Sequence, residues 1–277
     1  WVGSGYQGVW KFDGTAWTQH STANSGLGGN GITSLVVASG GQLWIGTTDA
    51  GVSRFDGSTW ASFSTANSGL VSDQVRSLAL DAKGRLWVGT SSGLSVYTPK
   101  DDAWSTIPAG EKTYPASSVA ALAAGEKQVW VGTASGIGMY NGKVWSQHNQ
   151  ATGLPSDNVQ ALAVDKGGTA WAGTDAGLAA WNGSSWTTYT TANSGLVDNN
   201  VLALHLDPAG RLWVATPYGV SVRESTGSWS TYRARNSGLR DDFILAITAD
   251  ADGGVWFGAF AGQERLFVRG TPEEPNY

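Results

Sequence analysis

The sequence predicts an all-β protein, a β-propeller of four-stranded antiparallel blades. Two tryptophan series and a set of recurring turn sequences support this fold class. The first series lies in a pattern close to apolar–Trp–apolar–Gly–Thr, at intervals of 41 to 43 residues, and comprises Trp1, Trp44, Trp87, Trp130, Trp171, Trp213 and Trp256. The second follows 15 to 17 residues later, at Trp17, Trp60, Trp104, Trp145, Trp186 and Trp229. A fixed period of this length is typical of repeat folds.

Each period reads as four short strands, which we name a, b, c and d. One example is Val75–Leu80, Arg85–Thr90, Gly93–Tyr97 and Ala103–Ile107. Strand b is apolar on both faces, as expected of a strand packed between neighbouring sheets. Turn sequences join a to b at Asp81–Gly84, Asp207–Gly210 and Asp250–Gly253, and c to d at Asp13-Gly14, Asp56-Gly57, Asn141-Gly142 and Asn182-Gly183. No period has a helical pattern, which argues against helical solenoids.

The strand count favours seven blades. The sequence begins inside a strand b at Trp1 and ends after a strand c near Leu266–Val268, which gives six a, seven b, seven c and six d strands. We expect about 30 further residues before Trp1 to supply the missing d and a and to close the ring. A six-bladed ring is the alternative. We expect one propeller domain over residues 1–270 and a tail or linker over 271–277.

Composition excludes several classes of partner. The net charge is −5, and Lys and Arg form no cluster that would attract a nucleic acid or an anionic membrane surface. No apolar run is long enough to cross a bilayer, so we expect no direct membrane insertion. The absence of Cys excludes disulfides and thiolate chemistry, but it does not name a compartment.

The connections from d to a repeat a turn sequence of their own. Asn-Ser-Gly-Leu recurs at Asn24–Leu27, Asn67–Leu70, Asn193–Leu196 and Asn236–Leu239. Asn, Ser and Gly favour a turn, and we expect the Leu to insert into the core. The third connection, Pro108–Pro115, abandons this pattern, and the fourth keeps only Thr152–Leu154. Such departures arise either from drift or from the demands of a ligand.

The segment Val201–Val220, like Val75–Leu94 and Val159–Leu178, resembles the two-component regulator propeller repeat. The resemblance covers essentially the whole chain. It implies a bacterial module outside the cytoplasm, periplasmic or extracellular, that senses a ligand and is often attached to a histidine kinase. Streptogramin-lyase-like propellers are similar at a greater distance, since only Trp256-Phe257 echoes their apolar-Trp-Phe strand. Neither resemblance brings a catalytic residue to this sequence.

No catalytic residue, metal site or cofactor is expected. The three histidines, His20, His148 and His205, lack the spacing of a zinc motif. We interpret His20 and His148 as surface or strand-end residues and His205 as a packed strand residue, with a ligand contact near the channel as the alternative for His205. Asp250–Gly253 resembles the start of a calcium loop, but the further oxygen ligands and the closing Glu are absent. We therefore interpret it as an ordinary turn.

The binding site is expected at one end of the strands, where the d-to-a connections and the b-to-c turns share a face. Aromatic and acidic residues at a ring centre favour a small molecule, a glycan or a protein partner. The candidates are Tyr6, Asp49, Asp175, Tyr218, Arg240, Asp241, Asp242 and Phe260. The leading hypothesis is a non-enzymatic sensor or recognition module. A structural or adhesive subunit of a surface or membrane-associated assembly is the alternative, and an enzyme of the lyase type comes third.

Overall fold

The repeat forms the predicted antiparallel meander in a computed structural model. The structure describes residues 1–110, 112–250, 254–261 and 264–270, with only the backbone described for residues 260, 261 and 264–270. These residues contain 26 strands and one short 3-10 helix, Gln150–Thr152. They form two compact units, Trp1–Gln147 and His148–Tyr277, and each unit is described by itself.

The first unit contains four sheets, and in each sheet the strands lie in sequence order. Its strands are β1 (Val2–Gly3), β2 (Val9–Phe12), β3 (Trp17–His20); β4 (Ile32–Val37), β5 (Leu43–Thr47), β6 (Val52–Phe55), β7 (Trp60–Phe63); β8 (Val75–Leu80), β9 (Leu86–Thr90), β10 (Leu94–Thr98), β11 (Ala103–Ile107); and β12 (Val119–Ala124), β13 (Val129–Thr133), β14 (Gly136–Tyr140), β15 (Trp145–His148). The last residue of β15 belongs to the second unit.

The second unit contains three sheets of the same design. Its strands are β16 (Val159–Val164), β17 (Ala170–Thr174), β18 (Gly177–Trp181), β19 (Trp186–Tyr189); β20 (Ala203–Leu206), β21 (Leu212–Thr216), β22 (Gly219–Arg223), β23 (Trp229–Tyr232); and β24 (Ile244–Ala249), β25 (Val255–Ala261), β26 (Glu264–Gly270). Neighbouring strands pair antiparallel, as β21 and β22 do with Trp213 opposite Val222.

These sheets confirm an all-β propeller with four-stranded antiparallel blades. Within the described residues, five sheets have four strands and two have three. In the described part of the chain, the first three-stranded sheet consists of strands b, c and d and the last of strands a, b and c, so the predicted six a, seven b, seven c and six d strands are all present. The number of blades in the closed ring, the single domain over 1–270 and the tail at 271–277 stay predictions. Residues 251–253 of the predicted turn Asp250–Gly253 lie outside the described part of the chain.

Strand b forms the core of each four-stranded sheet because both of its faces are covered. All five residues of β9 are buried, and Trp87 is 1% exposed. Gly89 permits the next sheet to approach, since a Cβ at this position would lie 2.5 Å from Cγ1 of Val119. Leu94, Val119 and Leu122 form one apolar cluster with Trp87. The tryptophans of the first series that lie in complete sheets are thus packing residues, as predicted.

The d-to-a connections owe their shape to the Asn and Ser side chains. Asn67 accepts a hydrogen bond from the Ser64 backbone N–H at 2.7 Å and donates to the Ser62 carbonyl at 3.0 Å. Ser68 Oγ donates to the Ser64 carbonyl at 2.6 Å, which closes the turn. Leu70 then enters the core, where it is 4% exposed. The insertion of this Leu into the core is confirmed.

Packing accounts for the irregular third connection. Tyr114 replaces the usual Leu and is fully buried, and its hydroxyl donates to the Ile107 carbonyl at 2.9 Å. The larger ring fits because strand β14 has Gly138 beside it, where a Cβ would lie 2.5 Å from Cβ of Tyr114. The tyrosine and the glycine are therefore matched in size, and no ligand is needed to explain this departure from the repeat.

Candidate functional site

The d-to-a connections and the b-to-c turns lie at the same end of the strands, as predicted. In the first unit, the Gly51 N–H donates to the Asp73 carbonyl at 2.9 Å, which ties a b-to-c turn to the following d-to-a connection. In the second unit, Asn158 Nδ2 donates to Asp175 Oδ2 at 2.9 Å, which ties a connection to the turn of its own sheet. We call this end of the strands, within each unit, the loop face.

Two of the candidate residues lie on the loop face of the first unit. Tyr6 is 92% exposed and lies in the turn between β1 and β2, which the Ser4 N–H closes by donating to the Gly8 carbonyl at 3.0 Å. Asp49 is exposed in the turn between β5 and β6, and Thr48 Oγ1 donates to its carboxylate at 3.4 Å. The two residues thus belong to different sheets of the first unit.

The loop face of the second unit combines a carboxylate, three amides and an aromatic ring. Hydrogen bonds from Ser156 and Asn158 lower the pKa of Asp175 below its usual value, which keeps this exposed carboxylate charged. Gln160 Nε2 donates to Asn200 Oδ1 at 2.7 Å and thereby links two adjacent sheets. Tyr218, in the turn between β21 and β22, is 62% exposed.

The acidic residues of the last connection serve its backbone. Asp241 accepts a hydrogen bond from the Phe243 N–H at 3.0 Å, and Asp242 accepts one from the Ala234 N–H at 2.7 Å. Asp73 has the same role in the connection between β7 and β8, where its carboxylate accepts a hydrogen bond from the Thr65 N–H. Arg240 is exposed. Phe260 lies in β25, and its side chain is outside the described part of the structure.

Sequence reasoning passed over Arg233 and Arg235, which lie in the same connection as Arg240. Arg233 is partly buried and Arg235 is exposed. The sequence does show that arginine is unusual at these positions, because the equivalent residues of the second connection are Ser64 and Ala66. A comparison of the repeated loops position by position, rather than of their shared Asn-Ser-Gly-Leu, would have found them.

All three histidines contribute to packing. His148 is 7% exposed, accepts a hydrogen bond from Trp186 Nε1 at its Nδ1 and packs edge-on against Trp181 with ring centroids 4.6 Å apart. His205 Nε2 accepts from the Ala249 N–H at 3.0 Å, and the ring of His20 lies 5.6 Å from that of Trp60. The strand-end positions of His20 and His148 and the packed strand position of His205 agree with these contacts, but a surface position for His148 is wrong because its side chain is buried. Burial is the main cause that lowers the pKa of each one.

Lowering the pH from about 7 to 5 is expected to reduce the free energy of unfolding. A histidine whose folded pKa is lowered stabilises the fold fully above its unfolded pKa of 6.5, and this contribution falls as pH falls through that value. The carboxylates do not contribute to this window, because their ordinary pKa of 3.8 lies below it. Urea denaturation at several pH values should therefore show a smaller slope in His148→Gln than in the wild type. An unchanged slope would contradict the assignment to His148, and His20→Gln, at a less buried site, serves as the matched control.

Potential metal ligands do not cluster in the described part of the molecule. Among the described residues, no group of three or more His, Cys, Asp or Glu side chains is placed to hold a metal ion.

Comparison with protein families identifies the repeat. The family model described as two component regulator propeller matches five segments of the chain, 26–49, 69–92, 153–176, 195–218 and 238–261. Each segment begins in a d-to-a connection and ends in or near a b-to-c turn. The matched unit thus contains the loop-face residues of one connection and one turn together with strands a and b. No curated protein matches the chain in sequence.

Several solved structures have a similar fold. The extracellular domain of BT3049 from B. thetaiotaomicron, described as a hybrid two component system, is 21% identical with a TM-score of 0.79, over 99% of this chain and 37% of that one. PorZ of Porphyromonas gingivalis, a bacterial surface component of the type-IX secretion system, is 20% identical with a TM-score of 0.71, over 90% and 41%. Virginiamycin B lyase from Staphylococcus aureus is 11% identical with a TM-score of 0.67, over 87% and 84%. At these identities the similarity shows the fold alone, and this chain spans little more than a third of the first structure.

Within the residues that the structure describes, no helix has the length and apolar character needed to cross a membrane.

Proposed function

Since the chain belongs to the two component regulator propeller family, we propose that it is a non-enzymatic recognition module of a sensor outside the cytoplasm, in the periplasm or at the cell surface. We propose further that its loop face binds the ligand or partner. Similarity to extracellular domains of two component systems supports the location.

The exposed ring of Tyr218 is the observation that carries this proposal. The Tyr218 N–H donates to Thr216 Oγ1 at 3.2 Å, and the same bond forms at Ser92, Ser135 and Ala176, which occupy this position in other turns. The turn therefore forms equally well around a small residue. A large aromatic side chain that is 62% exposed and that the fold does not require is typical of a binding surface.

The histidine contacts support a non-enzymatic role. General acid–base chemistry needs a titratable group within reach of a substrate. Here His148 and His205 accept hydrogen bonds from Trp186 and from the backbone of Ala249, and His20 packs between aromatic rings. Each histidine side chain makes contacts within the fold, so we assign none of them to a substrate at the loop face.

A binding screen with variants of both ends of the strands tests the proposal. Thermal-shift measurements against free sugars, oligosaccharides, amino acids and short peptides would select ligands for titration calorimetry. We expect Tyr218→Ser to weaken binding about tenfold or more, since truncating a central aromatic contact commonly costs this much. Asp175→Asn should weaken the same ligand. Val144→Ser is the matched control, because Val144 is also 62% exposed but lies in the c-to-d loop at the opposite end of the strands.

Two outcomes would contradict the proposal. The loop face is not the site if every selected ligand binds Tyr218→Ser and Asp175→Asn as tightly as the wild type. The chain is an enzyme if mass spectrometry recovers a selected ligand chemically altered after prolonged incubation. A ligand set confined to peptides would favour a protein partner over a small-molecule ligand at the loop face.

A further inference from the structure

The last d-to-a connection keeps the standard loop but carries three arginines. Its bonds match those of the connection at 190–199. Arg233 N–H donates to Asn236 Oδ1 at 2.6 Å, where Thr190 N–H donates to Asn193 Oδ1 at 2.7 Å. The Ala234 N–H donates to Asp242 Oδ1 at 2.7 Å, and this bond clamps the two ends of the loop together as Asn199 does for Thr191.

The loop does not need arginine at any of the three positions. Arg233, Arg235 and Arg240 stand where the connection at 190–199 has Thr190, Ala192 and Val197. The Asn and clamping bonds of the two loops are the same, and none of them uses an arginine side chain. Residues that the local structure does not require are where function is expected.

Within the described part of the chain, none of the three guanidinium groups forms an ion pair. The ion pairs observed among the described residues are Asp81–Arg85 and Asp207–Arg211, both in a-to-b turns. The neighbouring carboxylates of Asp241 and Asp242 accept backbone N–H bonds instead. The connection at 233–242 carries three arginines and two aspartates, so its local charge is +1 in a chain whose net charge is −5. Because both carboxylates are engaged with backbone N–H groups, the guanidinium groups are the donors that this loop presents to an anion.

Exposed aromatic residues flank these arginines. The stem of Arg233 lies over Gly219, where a Cβ would be 2.9 Å from Arg233 Cγ, and Gly219 directly follows Tyr218. Phe243, which is 38% exposed, directly follows the clamping residue Asp242. We call Tyr218, Arg233, Arg235, Arg240 and Phe243 together the arginine patch.

We propose that the arginine patch binds an acidic segment of a protein partner. Guanidinium groups form paired hydrogen bonds with carboxylates, and Arg and Tyr are the residues that most often dominate protein interfaces. The aromatic rings of Tyr218 and Phe243 offer contacts for apolar residues within the acidic segment. This inference rests on the proposed function, because it names the partner for the same loop face.

Fluorescence anisotropy with a labelled oligo-glutamate peptide tests the proposal at low salt. The variant Arg233→Thr/Arg235→Ala/Arg240→Val gives the last connection the residues of the loop at 190–199, so it is designed to fold. We expect it to bind the peptide about tenfold more weakly than the wild type, because it removes three ion pairs of modest strength at the protein surface. Wild-type binding should also weaken as salt is raised, because exposed charges are screened.

A charge-matched control separates this site from general attraction. Lys83→Ala/Lys143→Ala/Lys166→Ala removes the same charge from exposed turns at the opposite end of the strands. The proposal fails if the wild type does not bind the peptide, if the arginine variant binds it equally well, or if the lysine variant loses as much binding. It also fails if heparin or anionic vesicles bind the patch and the peptide does not. If Tyr218→Ser still weakens a ligand from the screen in any of these cases, the proposed function stands without this inference.

Discussion

Asp207→Ala is expected to lower the free energy of unfolding by about 3 kcal/mol. The carboxylate is buried at the turn between β20 and β21 and holds three donors. Oδ1 accepts from the Arg211 N–H at 2.9 Å, and Oδ2 accepts from Arg211 Nε at 2.6 Å and from Trp213 Nε1 at 2.9 Å. The substitution leaves a buried indole N–H without its acceptor and a partly buried guanidinium without its counter-charge. Urea denaturation monitored by tryptophan fluorescence measures the loss.

Asp165→Ala is the matched control for this prediction. Asp165 occupies the same turn position, but its described side-chain bond is only that from the Thr169 N–H at 2.8 Å, and Trp171 Nε1 has no hydrogen-bond partner. We expect a loss of about 1 kcal/mol here, as for a single hydrogen bond. Equal losses in the two variants would show that the turn alone, and not the contacts to arginine and tryptophan, explains the effect at Asp207.

The pH dependence of the Asp207 effect follows from its pKa. Burial alone would raise the pKa of this carboxyl, but the hydrogen bonds from Trp213 and Arg211 outweigh burial and hold it below the ordinary 3.8. A carboxyl with a lowered folded pKa stabilises the fold above its unfolded pKa, and the contribution is lost as pH falls through the folded value. The difference between wild type and Asp207→Ala should therefore be constant near neutral pH and shrink below about pH 4.

The fold was readable from the sequence because each strand repeats a local pattern. Trp87 and Trp104 marked strands b and d correctly, and Val75–Leu80 was predicted with its observed bounds. The bonds within the turns were not predicted. The sequence places Asp207 six residues before Trp213, but whether the indole reaches the carboxylate depends on the packing of both sheets. The c-to-d loops also proved longer than an Asp-Gly pair, with four residues, Asp56–Thr59, between β6 and β7.

The candidate site was less accessible to sequence reasoning. Topology correctly brought Asp175 and Tyr218 to one end of the strands, since the alternation of strands fixes which loops share that end. The roles of Asp241 and Asp242 could not be predicted, because the sequence does not distinguish an aspartate that binds its own loop backbone from one that faces a ligand. Binding residues stand out only once the bonds that the loop itself needs have been identified.

Comparison of the repeats identifies one bond that the d-to-a connections require, in which a serine of strand c accepts a hydrogen bond from a backbone N–H of the connection. The fully buried Ser53, Ser95 and Ser221 of strand c accept hydrogen bonds from the N–H groups of Gly28, Val71 and Val197, at 3.0, 3.0 and 2.9 Å. Each donor directly follows the inserted Leu. In the two sheets where proline follows the inserted residue, at Pro115 and Pro155, strand c has Gly138 and Ala179 instead. Proline has no N–H, so no acceptor is required.

Ser95→Ala is accordingly expected to lower the free energy of unfolding by about 1 to 2 kcal/mol, since it leaves the Val71 N–H without an acceptor and changes the side-chain volume very little. Chemical denaturation measures the change. Ala179→Ser is the reverse test. It places a buried hydroxyl opposite Pro155, where no N–H is available to it, and should also destabilise the protein.

A double-mutant cycle isolates the bond itself. In the background of Val71→Pro, the N–H is already absent, so the further change Ser95→Ala should cost much less than it does in the wild type. Together the two substitutions reproduce the pair that Pro155 and Ala179 form in the second unit. If Ser95→Ala costs the same in both backgrounds, the serine stabilises strand β10 through its other contacts and not through the Val71 N–H. In that case, the correlation across the five repeats between a serine in strand c and an available N–H after the inserted residue would have arisen by chance.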